Sequence, residues 1–76
     1  MTELELMKNF GNNLKEILED SWMTQKELSE ETGLSESMIS YYIHGKRMPN
    51  MKNIINIALA LDCELNELIE IKERIM

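Results

Sequence analysis

The chain has few of the residues that build disulfide-bonded, irregular or membrane-spanning proteins. Its 76 residues include one cysteine, one proline, three glycines and 5% aromatic residues. A single cysteine excludes an internal disulfide and favours a reducing, cytoplasmic setting. The scarcity of proline and glycine favours an all-helical chain, because these two residues interrupt helices.

Long apolar runs are also missing. No apolar stretch approaches the roughly 20 residues of a membrane-spanning helix. The N-terminus lacks the basic region and apolar run of a signal peptide. The length suits one domain, near the lower limit for a core without disulfides or metals. We therefore expect a single domain over residues 1–76 with no membrane association.

Positive charge is scarce, with 8 lysines and arginines against 14 acids and a formal net charge of −6. This sign is unusual for a protein that binds nucleic acid. The charge is unevenly distributed, however. Net charge is −5 over residues 1–34, +2 over residues 35–53 and −3 over residues 54–76. A nucleic-acid surface is therefore expected within the middle segment.

Apolar residues recur at helical spacing in five segments. Asn12 and Asn13 predict a weakened middle of the first segment, because asparagine is a poor helix former. Pro49 predicts a break before the fourth segment, and Asn50 is suited to cap it. The predicted helices are 2–20, 24–32, 35–44, 51–61 and 65–75.

The second and third of these helices have the features of a helix-turn-helix. Thr24 and Glu27 have the spacing of a capping box at the start of helix two. Gly33 predicts a turn with positive φ, since a left-handed residue after a helix is least strained as glycine. Ser35 is placed to cap helix three. The outward face of helix three would then be available to a partner.

Residues that resemble a known family extend along most of the chain. They are Phe10-Gly11, Leu14, Thr24-Gln25-Lys26-Glu27-Leu28-Ser29, Thr32-Gly33-Leu34-Ser35, Ile39-Ser40, Gly45-Lys46-Arg47-Met48-Pro49, Ile57-Ala58-Leu59-Ala60-Leu61-Asp62 and Leu65-Asn66-Glu67-Leu68. In this order they resemble the Cro and phage-repressor type of helix-turn-helix, the xenobiotic-response-element-like bacterial regulators. The resemblance covers about residues 8 to 69. It implies a five-helix, all-α, lambda-repressor-like domain that binds double-stranded DNA sequence-specifically.

The resemblance also implies roles for individual residues. The family position of Gln25 contacts a DNA phosphate, and helix three reads base edges in the major groove. Lys46 and Arg47 are expected at phosphates, because cations beside the groove neutralise the backbone. The DNA-binding residues expected on this basis are Gln25, Ser35, Glu36, Ser37, Ser40, Tyr41, His44, Lys46 and Arg47.

Ordinary structural explanations exist for the same residues. Gln25 could be a surface glutamine, and the polar face of helix three could simply be solvated. His44 could interact with the negative end of the helix dipole instead of a phosphate. It lacks nearby second ligands, so we expect no metal site. No nucleophile–base pair or phosphate-binding glycine loop occurs, so we expect neither an enzyme nor a cofactor.

Family members usually pair to read a two-fold site, so we expect a homodimer on a palindromic operator, acting as a transcriptional repressor. The predicted interface is on helix five, where Ile71, Ile75 and Met76 exceed what the core needs. The alternative for these residues is a disordered chain end. A second functional hypothesis is a protein-interaction module of the same fold, such as an antitoxin or a phage regulator that binds a protein partner.

Overall fold

Five helices make up the part of the chain that the computed structural model describes, residues 1–72. They are α1 (Glu3–Asp20), α2 (Gln25–Thr32), α3 (Glu36–Ile43), α4 (Met51–Ala60) and α5 (Leu65–Ile69). These residues contain no strand. The predicted all-α, five-helix fold is confirmed, and the starts of all five helices agree with the sequence patterns to within one residue. None of the helices in residues 1–72 has the length and apolarity needed to cross a membrane.

The core is formed by one apolar face from each helix. On α1, Phe10, Leu14 and Leu18 are buried at four-residue intervals, the spacing that places side chains on one helix face. They pack with buried residues of the other helices, which are Leu28, Ile39, Tyr42, Ile43, Ile54, Ile57, Ala58, Leu61 and Leu68. Cys63 is half-buried and packs against this cluster.

The helix-turn-helix forms through local hydrogen bonds that the sequence predicted. Thr24 Oγ1 accepts the backbone N–H of Glu27 at 3.1 Å, and the Glu27 carboxylate accepts the N–H of Thr24 at 3.0 Å. Gly33 ends α2 with φ +77°, and its N–H donates to the Ser29 carbonyl at 2.9 Å. Ser35 Oγ then accepts the N–H of Met38 at 3.1 Å and caps α3. The predicted capping box and positive φ are confirmed.

The turn between α1 and α2 contains the one tryptophan of the chain. Trp22 has φ +62°, a conformation that bulky residues rarely adopt. Its side chain is 93% exposed. The ring therefore adds nothing to the core and lies at the surface two residues before the cap of α2.

Helix α1 crosses the end of α3 at unusually close range. A Cβ atom on Gly11 would lie 2.5 Å from the carbonyl oxygens of both Tyr42 and Ile43. Only glycine therefore permits this approach. Next to it, the rings of Phe10 and Tyr42 make an edge-to-face contact with centroids 6.3 Å apart. The crossing fixes the position of α3 on the body of the domain.

The fifth helix is shorter than predicted. It ends at Ile69, and Glu70 is extended with φ −56° and ψ 133°. Asparagine side chains of α1 explain the end. Asn13 Nδ2 donates to the carbonyl oxygens of Leu68 and Glu70, both at 2.8 Å, and Asn9 Nδ2 donates to Glu70 at 2.8 Å. These amides bind carbonyl groups near the end of the helix and direct the chain along α1. The prediction of a helix over residues 70–72 is therefore wrong, and its continuation over residues 73–75 lies outside the described residues.

Candidate nucleic-acid interface

The outward face of α3 is the central candidate surface. Ile39, Tyr42 and Ile43 are buried and fix the helix to the core. The other face carries Glu36, Ser37 and Tyr41, all exposed, with Ser40 half-buried between them. Tyr41 is 45% exposed although it neighbours the buried Tyr42. The helix thus presents hydrogen-bonding groups outward and apolar groups inward.

The start of α2 contributes a candidate phosphate site. Gln25 is the first residue of the helix and is exposed. The first N–H groups of a helix lack acceptors within it and carry partial positive charge. The side chain of Thr24 accepts from Glu27 only, so the N–H groups of Gln25 and Lys26 remain available to an anion. Glu27 lies in the same turn, and its carboxylate is bound to the Thr24 N–H.

His44 directly follows α3 as its C-cap, and its side chain is hydrogen-bonded to the helix. Its Nδ1 atom lies 2.8 Å from the Ser40 carbonyl oxygen and 3.3 Å from Ser40 Oγ. Because a carbonyl only accepts hydrogen bonds, Nδ1 carries a proton and donates it to the helix end. This contact agrees with the helix-end interpretation of His44. The exposed ring can still present Nε2 to a second partner.

The loop after α3 carries two cations into the solvent. Gly45 has φ +68°, and the N–H of Lys46 donates to the Tyr41 carbonyl at 2.8 Å. This bond closes the helix end and fixes the backbone from which Lys46 and Arg47 project. Both side chains are exposed. The two cations are thus adjacent to the exposed face of α3.

Two contributions to this region were missed by sequence reasoning. Lys8 and Lys15 of α1 line a groove together with Gln25 and His44. Charge summed along the chain places both lysines in a strongly acidic segment. Only the crossing of α1 and α3 shows that they belong to the same side of the molecule.

The predicted dimer residues are only partly described. Ile71 is 38% exposed and lies in the non-helical segment after α5. Ile75 and Met76 lie outside the described residues. Ile71 therefore lies after the end of α5 in non-helical backbone, whereas the predicted interface placed it on a helix. In residues 1–72 no group of three or more histidine, cysteine or acidic side chains is arranged to hold a metal ion.

Comparisons with known proteins identify the family of this chain. Residues 14–68 match the family model HTH_3, described as helix-turn-helix. This chain is similar to the crystal structure of the restriction-modification controller protein C.AhdI from Aeromonas hydrophila, with 32% sequence identity and a TM-score of 0.78. The similarity covers 82% of this chain and 94% of that one. The protein therefore belongs to the HTH_3 helix-turn-helix family, and the predicted family resemblance is confirmed.

Two curated relatives are similar over much of this chain. One is the replication factor C small subunit of Methanocaldococcus jannaschii, 35% identical over 71 residues, or 88% of this chain and 4% of that protein. The other is the HTH-type transcriptional regulator YqaE of Bacillus subtilis, 31% identical over 61 residues. This match covers 80% of this chain and 53% of YqaE. The chain thus spans about half of one relative and a small part of the other.

Proposed function

We propose that this protein is a cytoplasmic, sequence-specific regulator that binds double-stranded DNA and represses transcription. Helix α3 enters the major groove, whose width admits one helix. The observation that carries the proposal is the two-sided packing of α3. Ile39 and Tyr42 anchor the helix in the core, while Glu36, Ser37 and Tyr41 stay exposed on the other face.

The proposed base contacts come from the exposed face of α3. Glu36 can accept a hydrogen bond from cytosine N4, and Ser37 and Ser40 can bond to several base edges. Tyr41 can contact a thymine methyl group with its ring or donate from its hydroxyl group. Ser35 faces the DNA from the start of the helix and keeps its capping bond to Met38. These contacts would determine which sequence is bound.

The proposed phosphate contacts lie on both sides of α3. Gln25 and the first N–H groups of α2 would bind a phosphate at one side. Lys46 and Arg47 would bind phosphates at the other, together with the exposed edge of His44. Phosphate contacts position the protein and provide affinity without reading sequence. The likeness to a restriction-modification controller and to an HTH-type regulator supports the proposal that the protein is a DNA-binding regulator.

A homodimer completes the proposal. One domain presents a single recognition helix, whereas two copies related by a two-fold axis read two half-sites about 34–36 Å apart, one turn of DNA. The operator would then be palindromic. A repressor bound in this way would exclude polymerase from a promoter that overlaps the site.

Fluorescence anisotropy tests the proposal directly. Labelled duplexes from the DNA flanking the gene are compared with shuffled duplexes of the same composition over a salt series. We expect preference for one flanking duplex and a steep loss of affinity with salt, because phosphate contacts release counterions. Equal binding of all duplexes, or none, would contradict sequence-specific regulation. Capture of the product of a neighbouring gene in that case would favour the protein-interaction module.

A further inference from the structure

Helix α1 carries a row of polar side chains beside the proposed interface. Lys8, Asn12 and Lys15 are separated by four and three residues, so they share one face of the helix. All three side chains are exposed. The two lysines are seven residues apart, which corresponds to about 10 Å along a helix. The row is therefore long enough to contact more than one group of an extended partner.

Close backbone contacts place this row next to the end of α3. A Cβ atom on Gly45 would lie 3.1 Å from both Cα and Cγ of Lys8. Gly45 directly precedes Lys46 and Arg47, so the backbone of Lys8 lies against the cationic loop. The close approach of Gly11 to the Ile43 carbonyl holds the two elements together at this point. The position of Lys8 is therefore determined by backbone packing.

A groove joins the row to residues already assigned to phosphate contacts. Its walls include the three α1 side chains, the start of α2 and the end of α3. The lining residues are Lys8, Asn12, Lys15, Leu18, Glu19, Gln25, Ile43 and His44. Two lysines, two amides and a histidine thus surround a space that also contains one carboxylate, that of Glu19. Donors to an anion outnumber the single acid.

We infer that Lys8 and Lys15 of α1 contact the phosphate backbone of the DNA strand that flanks the α3 contact, with Asn12 between them. This inference rests on the proposed function and extends the DNA-binding surface beyond the helix-turn-helix. Within the groove, the fold adds the two positive charges of Lys8 and Lys15 and the one negative charge of Glu19 to a surface that the charge distribution along the sequence limits to residues 35–53. It thereby reduces the conflict between a net charge of −6 and a DNA partner. Glu19 opposes the contact by repelling phosphate.

The test measures DNA binding of single and double glutamine variants over a salt series. Lys8→Gln and Lys15→Gln remove charge but retain most of the side-chain stem. Each should lower the magnitude of the slope of log affinity against log salt by about 0.9, the value for one phosphate contact. The operator and shuffled duplexes should lose affinity by the same factor. Glu19→Gln should strengthen binding to both.

Lys72→Gln is the matched control. It removes the same charge from an exposed lysine that pairs with Glu16 at 2.7 Å and does not line the groove. Its slope should equal that of the wild type. Thermal melting verifies that every variant is folded.

The outcomes separate this inference from the proposed function. A wild type that prefers its operator, with a double variant of unchanged slope and affinity, overturns the α1 contact alone. Equal losses in Lys72→Gln and in the groove variants would also overturn it, because net charge would then explain them. A wild type that binds no DNA overturns both proposals.

Discussion

Gly33 and Gly11 are required for different physical reasons. At Gly33 the backbone has φ +77°, and a Cβ atom would meet nothing within 4 Å. Strain there comes only from the left-handed conformation, which costs other residues roughly 1–2 kcal/mol. At Gly11 the conformation is helical, and a Cβ atom would strike two carbonyl oxygens at 2.5 Å. Relief of that overlap requires α1 and α3 to separate.

We expect Gly33→Ala to lower the free energy of unfolding by about 1–2 kcal/mol, because alanine adopts positive φ at a cost. Gly11→Ala should cost more, since the core between α1 and α3 must open. Urea denaturation of the two variants and the wild type measures both changes. An unchanged midpoint for Gly33→Ala, or a smaller loss for Gly11→Ala than for Gly33→Ala, would contradict this explanation.

Asn13 shows which residue roles the sequence could not predict. Local propensity describes Asn12 and Asn13 as weak points of the first helix. In the structure Asn13 is fully buried, and its amide binds carbonyl groups of residues 68 and 70. Those partners lie 55 and 57 residues away in the chain. Helix propensity takes no account of contacts at this separation. It therefore predicts a weak point in α1 at a position where a buried asparagine binds the end of α5.

Asn13→Leu should destabilise the domain by roughly 1–3 kcal/mol, because the Leu68 carbonyl loses its side-chain donor in a buried environment and the Glu70 carbonyl keeps only the donor from Asn9. Asn12→Leu is the control, since its side chain is exposed and Asn12 lies on the same helix. Thermal unfolding compares the two. Similar melting temperatures for both variants would show that the Asn13 amide contributes little.

At the scale of helices, the prediction succeeded where its signals are local. Capping boxes, Gly33 and Pro49 act within a few residues, so the starts of the helices and the turn of the helix-turn-helix could be predicted. The sequence also predicted which face of α3 is exposed, because the buried residues of this helix repeat at helical spacing. The end of α5 was not predicted, since amides on α1 bind the carbonyl groups there. The sequence also did not predict the groove beside α1, because the groove is formed by residues of α1, α2 and α3 that are distant in sequence.

The two kinds of contact proposed around α3 can be distinguished by mutation. Tyr41→Ala should change the preferred DNA sequence, because a good base contact contributes about 1–3 kcal/mol of discrimination. Lys46→Ala should lower the affinity for every duplex by the same factor, whatever its sequence. Selection of binding sites from a random pool with each variant measures this. If Tyr41→Ala selects the wild-type site with wild-type affinity, Tyr41 does not read bases.

For the whole molecule, exposed apolar residues define two candidate contact surfaces. Ile71 follows α5 in non-helical backbone. Ile55 and Leu59 on α4 are four residues apart, and Leu59 is 76% exposed. Met51 continues the α4 strip by one further turn. Surfaces of this kind are frequent at protein interfaces.

Dimerisation through the C-terminal segment predicts that Ile71→Asp dissociates the dimer, because a charge would be buried against its symmetry mate. Leu59→Asp serves as the control on the other surface. Sedimentation velocity at high micromolar concentration compares both variants with the wild type. Dissociation by Leu59→Asp alone would place the interface on α4. A monomeric wild type would exclude a stable dimer.

The exposed Trp22 has an optical consequence. Its indole is already surrounded by solvent in the folded domain, so its emission should lie near the wavelength of free tryptophan and change little when the protein unfolds. The same ring lies three residues before Gln25, at the start of α2. Any macromolecule that covers this turn would exclude water from the indole and shift its emission to the blue. The natural chain thus contains its own fluorophore for detecting occupancy of that surface without a label.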